Sequence, residues 1–96
     1  MATFITLLNF TDQGIRSVKD SPDRYLAFKA MAEGLGLAVK AVYWTVGSYD
    51  LVIIVEGDEE AATTALLKAG SLGNVRTQTL RGFSEPEIRR IIGNMP

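Results

Sequence analysis

The chain contains no cysteine and no histidine among its 96 residues. Without cysteine it has no disulfides, thiolate nucleophiles, zinc–thiolate sites or cysteine-ligated iron–sulfur clusters. Without histidine it lacks the usual general base near neutral pH, the commonest metal ligand and the usual haem ligand. Any chemistry must therefore use Asp, Glu, Lys, Arg, Tyr, Ser or Thr, or a bound organic cofactor. We expect no metal site and no resident cofactor.

A strong charge of either sign and long apolar runs are also missing. The net charge is −1, and the Lys and Arg residues are scattered, which argues against a nucleic-acid partner. No apolar run approaches the ~20 residues of a membrane span, and no basic region precedes the first apolar run. With 47% apolar and 22% charged residues, the chain is typical of one globular domain over residues 1–96. We expect a cytoplasmic protein without a membrane partner.

The apolar residues are densest in two β-rich runs, Leu37 to Val46 and Leu51 to Val55. They flank Gly47-Ser48-Tyr49-Asp50, a pattern that predicts an antiparallel hairpin. Strict alternation along the first run predicts one face with Val39, Ala41 and Tyr43 and a second with Ala38, Lys40, Val42 and Trp44. The second run is apolar on both faces, which predicts a central strand.

Cap signals and apolar spacing predict the remaining elements. A strand runs from Ala2 to Phe10, and Thr11 then caps a short helix. Ser21-Pro22-Asp23 predicts the start of a longer helix that ends near Gly34. Its expected apolar stripe contains Tyr25, Phe28, Ala32 and Leu35. Asp58 predicts a second long helix that ends near Gly70, a last strand spans Asn74 to Phe83, and Ser84 to Glu87 matches a capping box.

The resulting order is β-α-β-β-α-β with a short C-terminal helix, which is the α+β, ferredoxin-like pattern. Two long helices should cover one face of a four-stranded antiparallel sheet. The other face is too apolar for water, because strands one and three carry large apolar groups on both faces. We therefore predict a homodimer in which a second copy covers that face.

The chain resembles the GYD domain proteins, a small bacterial family with a glycine–tyrosine–aspartate signature. The signature is Gly47, Tyr49 and Asp50, with Ser48 between the first two. The resemblance covers nearly the whole chain and extends to the following segments: Thr6-Leu7, Thr11 to Ile15, Ser21 with Arg24, Trp44 to Gly47, Leu51 to Val55, and Gly73 to Leu80. The stretch from Gly47 to Thr79 is also similar to the ligand-sensing domain of Lrp/AsnC-type regulators.

This resemblance implies a fold more than an activity. The family is similar to the dimeric α/β-barrel proteins, in which two ferredoxin-like sheets face each other around a central cavity. It implies a bacterial homodimer or higher homo-oligomer that is able to bind a small organic ligand. It names no catalytic residue.

The candidate ligand-binding residues are Arg24, Tyr43, Gly47, Ser48, Tyr49, Asp50 and Arg81. Several of them have a structural interpretation beside the functional one. Gly47 serves a turn conformation, Asp50 caps turn amides or pairs with an arginine, and the tyrosines pack at the sheet rim. Arg76 and Arg81 are an odd number of residues apart, so they should face opposite sides of the last strand, with Thr77 and Thr79 facing as Arg81 does.

Two hypotheses follow for the function. The first is a non-catalytic, homo-oligomeric small-molecule-binding or interaction module. The second is a small cofactor-independent enzyme of the dimeric-barrel kind, an isomerase or monooxygenase. In that alternative Asp50 acts as the base, and Tyr49 or an arginine stabilises the enolate or phenolate. The absence of histidine, cysteine and any recognisable catalytic constellation favours the first.

Overall fold

A computed structural model describes all residues from Met1 to Pro96. The elements in chain order are β1 (Ala2–Phe10), α1 (Asp12–Arg16), a 3-10 turn (Val18–Asp20), α2 (Ser21–Gly34), β2 (Ala38–Trp44), β3 (Leu51–Gly57), α3 (Glu59–Ser71), β4 (Val75–Gly82) and α4 (Glu85–Gly93). The strands form one antiparallel sheet in the order β2-β3-β1-β4. The predicted ferredoxin-like α+β fold is confirmed. None of the helices combines the length and the apolar character that a membrane span requires.

The core lies between the sheet and the helices α2 and α3. Alternate residues of β1 and β3 point into it, and their neighbours point the other way, as a side-chain period of two dictates. The nine buried apolar residues are Phe4, Leu8, Ala32, Leu37, Leu51, Ile53, Val55, Ala62 and Ala65. Thr6 is also buried there, and its hydroxyl lies 3.3 Å from that of Thr79 on β4.

A β-bulge at Lys40 corrects the strict alternation expected for β2. Val39 pairs with Val55 and Ala41 pairs with Ile54, so one extra residue stands between two consecutive partners. Because of this extra residue, the residues of β2 that precede Lys40 face the opposite side of the sheet from the one that strict alternation predicts. Val39 therefore shares the helix side with Val42 and Trp44, whereas the sequence pattern placed it with Ala41 and Tyr43.

Three of the predicted helix caps are confirmed. The side chain of Thr11 accepts a hydrogen bond from the Gly14 N–H at 3.1 Å, and that of Asp58 accepts one from the Ala61 N–H at 3.1 Å. Ser84 and Glu87 form a reciprocal capping box at the start of α4. Each contact satisfies a backbone donor that the first helical turn leaves without a partner.

The start and the apolar stripe of α2 differ in detail from the expectation. Ser21 does not cap the helix, because it is buried and its Oγ accepts a hydrogen bond from Trp44 Nε1 at 3.0 Å. Met31 packs against the core in place of Leu35, which lies at the helix end and is 40% exposed. The stripe therefore ends one turn earlier than the spacing suggested.

The second face of the sheet is not covered by any helix of the chain. By register it carries the large side chains of Ile5, Leu7, Tyr43, Val52, Ile54 and Leu80. The Cα atoms span only 18 Å in the thinnest direction, which leaves room for the sheet and one helix layer. α4 is also largely unpacked, with Ile88, Ile91 and Ile92 each 38–56% exposed. We call the bare sheet surface the open face.

Candidate functional site

The family-like residues Gly47, Ser48, Tyr49 and Asp50 lie in the loop that joins β2 to β3. Thr45 closes this loop twice: its N–H donates to the Asp50 carbonyl at 2.9 Å, and its hydroxyl donates to the Tyr49 carbonyl at 2.5 Å. Gly47 has φ = +143°, a backbone conformation that side chains disfavour. The glycine of the signature thus lets the loop turn, while Ser48 is exposed at its tip.

Asp50 is bound to the end of β1. Its Oδ2 accepts a hydrogen bond from the Phe10 N–H at 2.9 Å, and its own N–H donates to the Leu8 carbonyl at 2.8 Å. The carboxylate thus continues the strand pairing where the backbone of the loop leaves the sheet. Asp50 thus has a structural partner, but this partner is the Phe10 N–H at the end of β1, in place of the turn amides or the arginine expected from the sequence.

The two tyrosines lie at the open face. Tyr43 belongs to it by register and is 63% exposed. The Tyr49 hydroxyl donates to Gln78 Oε1 on β4 at 2.9 Å, and Gln78 pairs with Leu7 on that same face. The loop after β2 is therefore linked to the opposite edge strand of the sheet. These hydroxyls give the apolar surface a polar rim.

Arg24 lies on the helix side of the sheet, away from the hairpin loop. Its guanidinium donates to the Ser17 carbonyl at 2.9 Å, to Ser17 Oγ at 3.1 Å and to the Gly14 carbonyl at 3.2 Å. Both carbonyls lie at the C-terminal end of the short helix α1, where a cation is favourable. Arg24 therefore holds α1 against α2.

Arg81 also lies on the helix side, because it pairs with Phe4. Its guanidinium is 4.4 Å from the centre of the Phe83 ring and 5.7 Å from that of Phe4, as in a cation–π contact. Arg76 pairs with Asn9 on the open face, so the expected opposite facing of the two arginines is found. The structure thus divides the candidate residues among the loop, the open face and the helix side.

Glu87 in α4, outside the candidate set, has a pKa shifted from its ordinary value. The Ser84 backbone N–H, which donates to the Glu87 carboxylate at 2.9 Å, is the largest cause that lowers the pKa of Glu87 below 4.5, followed by the Ser84 side chain. No group of three acidic side chains is placed to hold a metal ion.

One cavity was not indicated by the sequence. It measures about 260 Å³ and lies between α2, α3 and the sheet, with Phe28, Met31 and Ile53 among its lining residues. Helical spacing marked Phe28 as an ordinary core residue. Only the separation of α2 from α3, a property of the packed fold, opens the space.

Comparison with known proteins identifies the family to which this chain belongs. The GYD domain profile matches residues 4–92, and the chain belongs to the GYD domain family. A protein of Thermus thermophilus is 40% identical over 91 residues, which are 92% of this chain and 95% of that protein. It is described as a glutamine synthetase and cystathionine beta-lyase binding protein.

Solved structures confirm the fold. The crystal structure of MtbAldR superposes with a TM-score of 0.64 at 14% identity and covers 88% of this chain. This chain spans about half, 52%, of the length of MtbAldR, so the similarity concerns one part of that protein. A hypothetical protein of Pyrococcus horikoshii, PHS023, superposes with a TM-score of 0.58 at 25% identity, over 88% of this chain and 93% of its own. Neighbours of this kind are dimeric α/β-barrel-like proteins.

Proposed function

We propose that this GYD domain protein is a non-catalytic interaction module that acts as a homodimer and binds metabolic enzymes. The open face carries the proposal. Four strands about 4.8 Å apart, each paired over about seven residues, make a surface of roughly 450 Å² per protomer. The apolar part of this face is comparable to the largest apolar patch of a typical soluble monomer, and patches of that kind often mark an interaction site. Two such faces, with their rims, bury on the order of 1,000 Å², the lower limit for a specific interface.

The composition of the open face suits a second copy of itself. Ile5 and Ile54 pair across β1 and β3 at its centre, while Tyr43 and Gln78 lie toward its two edges. An apolar centre with a polar rim is the usual anatomy of a protein interface. A two-fold axis through the centre brings identical patches together, so the surface needs only to complement itself.

The enzyme-binding part of the proposal comes from the Thermus relative, which matches almost its full length. The hairpin loop supports binding over catalysis. Asp50, the base of the enzymatic alternative, accepts the Phe10 N–H, and the Tyr49 hydroxyl is bound to Gln78. Asp50 and Tyr49, the two residues that the alternative names, therefore both have protein partners. A binding module needs no free base.

The direct test is binding to purified glutamine synthetase and cystathionine β-lyase from the source organism. We expect a saturable complex with at least one of them in isothermal titration calorimetry, at a stoichiometry that is a multiple of the dimer. An unrelated enzyme of similar size and charge is the control. If neither enzyme binds at concentrations of tens of micromolar, the enzyme-binding part of the proposal is wrong.

A further inference from the structure

The cleft between α2 and α3 is built like a ligand site rather than a packing defect. Its volume of about 260 Å³ exceeds the roughly 150 Å³ cavity that holds benzene in another protein and approaches the lower limit of ordinary small-molecule sites. Ten of its fourteen lining residues are hydrophobic, among them Tyr25, Phe28, Met31 and Leu72. An apolar body therefore fits this space better than water does.

The charged residues of the cleft are of one sign. Lys68 on α3 and Arg24 on α2 line it, and no acidic residue does. Lys68 Nζ makes no ion pair or hydrogen bond, and the ion pairs of the chain, Lys40–Glu56 and Arg89–Glu85, lie elsewhere. Arg24 is held in place by its bonds to Ser17 and Gly14. The cleft therefore combines an apolar interior with unneutralised positive charge.

We infer that this cleft binds a small anionic amphipath, a carboxylic acid with an apolar body of about eight to ten carbon atoms. The hydrocarbon body lies against Phe28, Met31 and Ile53, and the carboxylate lies toward Lys68. This site is on the opposite side of the sheet from the open face. Ligand binding and dimer formation are therefore separate properties, and either can fail without the other.

The chain contains a natural reporter for this site. Trp44, its single tryptophan, is outside the cleft, but its ring packs edge-on against Tyr25 at 5.8 Å between ring centres. Its Nε1–H also donates to Ser21 Oγ at 3.0 Å. Tyr25 and Ser21 both line the cleft. A ligand that contacts them changes the surroundings of Trp44 and hence its fluorescence.

The test is titration of the full-length protein with decanoate, followed by Trp44 fluorescence and by calorimetry. We expect saturable binding with one ligand per chain. In the series from butanoate to decanoate, each added methylene should tighten binding by about fourfold until the cleft is full. Decanol, which lacks the carboxylate, should bind more weakly than decanoate.

Two variants locate the ligand. Ala69→Met places a larger side chain in the cleft and should abolish binding, while Lys68→Met should weaken decanoate by about threefold or more and leave decanol unchanged. Lys29→Met removes the same charge from α2 outside the lining and should leave both affinities unchanged. Circular dichroism checks that each variant is folded.

Several outcomes overturn the inference. One is the absence of any fluorescence or heat signal with decanoate below its micellar range. Another is binding that folded Ala69→Met retains in full, which places the ligand elsewhere. A third is a decanoate affinity that falls as protein concentration rises. That result would mean that a second copy of the chain competes with the ligand for the cleft.

Discussion

Asp50 fastens the hairpin loop to β1, since its carboxylate accepts the backbone N–H of Phe10 at 2.9 Å. Asp50→Ala leaves that half-buried N–H without its partner, and we expect a loss of about 1–3 kcal/mol in the free energy of unfolding. Asp50→Asn keeps an acceptor oxygen and should lose less. Urea unfolding measures both. An alanine variant as stable as the wild type would remove the structural role assigned to this carboxylate.

Gly14 is placed where no other residue fits. A Cβ built on it would lie 1.9 Å from the carbonyl oxygen of Asn74, whereas one on Gly70 in α3 meets nothing within 4 Å. We expect Gly14→Ala to destabilise the protein by about 1–3 kcal/mol, because backbone must move. The matched control Gly70→Ala should stabilise by roughly 0.5–1 kcal/mol. Equal thermal shifts in the two variants would contradict the close approach of α1 to the start of β4.

The buried Ser21 hydroxyl determines the environment of Trp44. Ser21→Ala removes the acceptor of the indole N–H, and we expect a loss of about 1 kcal/mol in stability together with a shift in the emission maximum of Trp44. Ser21→Thr retains a hydroxyl and should preserve the emission. If the emission of Ser21→Ala is unchanged, Trp44 does not contact Ser21 in solution.

The start of α4 should respond to acid through Glu87. The Ser84 backbone N–H, then the Ser84 side chain, lower the pKa of Glu87 below its ordinary 4.5. A lowered pKa in the folded chain means that this capping contribution is fully present above pH 4.5 and is lost as pH falls through the lower value. NMR titration should show a Glu87 midpoint below 4.5, and Ser84→Ala should raise it. A wild-type midpoint at or above that ordinary value would exclude the capping box.

The fold was predictable because its signals are local. Thr11, Asp58 and Ser84 each mark a helix start within four residues, and the apolar runs on both sides of Gly47 mark the hairpin. The bulge at Lys40 was not predictable from alternation, since one extra residue leaves the apolar pattern looking regular. Its effect appears only in the pairing of β2 with β3.

The candidate site was less predictable than the fold, because its contacts join distant parts of the chain. Asp50 binds a residue 40 positions away, and the hydroxyl of Ser21 meets Trp44 23 positions away. The sequence pattern correctly separated Arg76 from Arg81, but it could not say which of them faces the helices. The cleft beside Lys68 depends on the distance between two helices, for which no single residue is a signal.

The homodimer across the open face is tested most directly by sedimentation equilibrium of the wild type, Ile54→Lys and the control Thr63→Lys, whose residue is exposed on α3. The account predicts a wild-type dimer at micromolar concentration, an unchanged dimer for Thr63→Lys, and a folded monomer for Ile54→Lys, because a lysine at the centre of the apolar patch opposes its own copy. A wild-type protein that sediments as a monomer would contradict it.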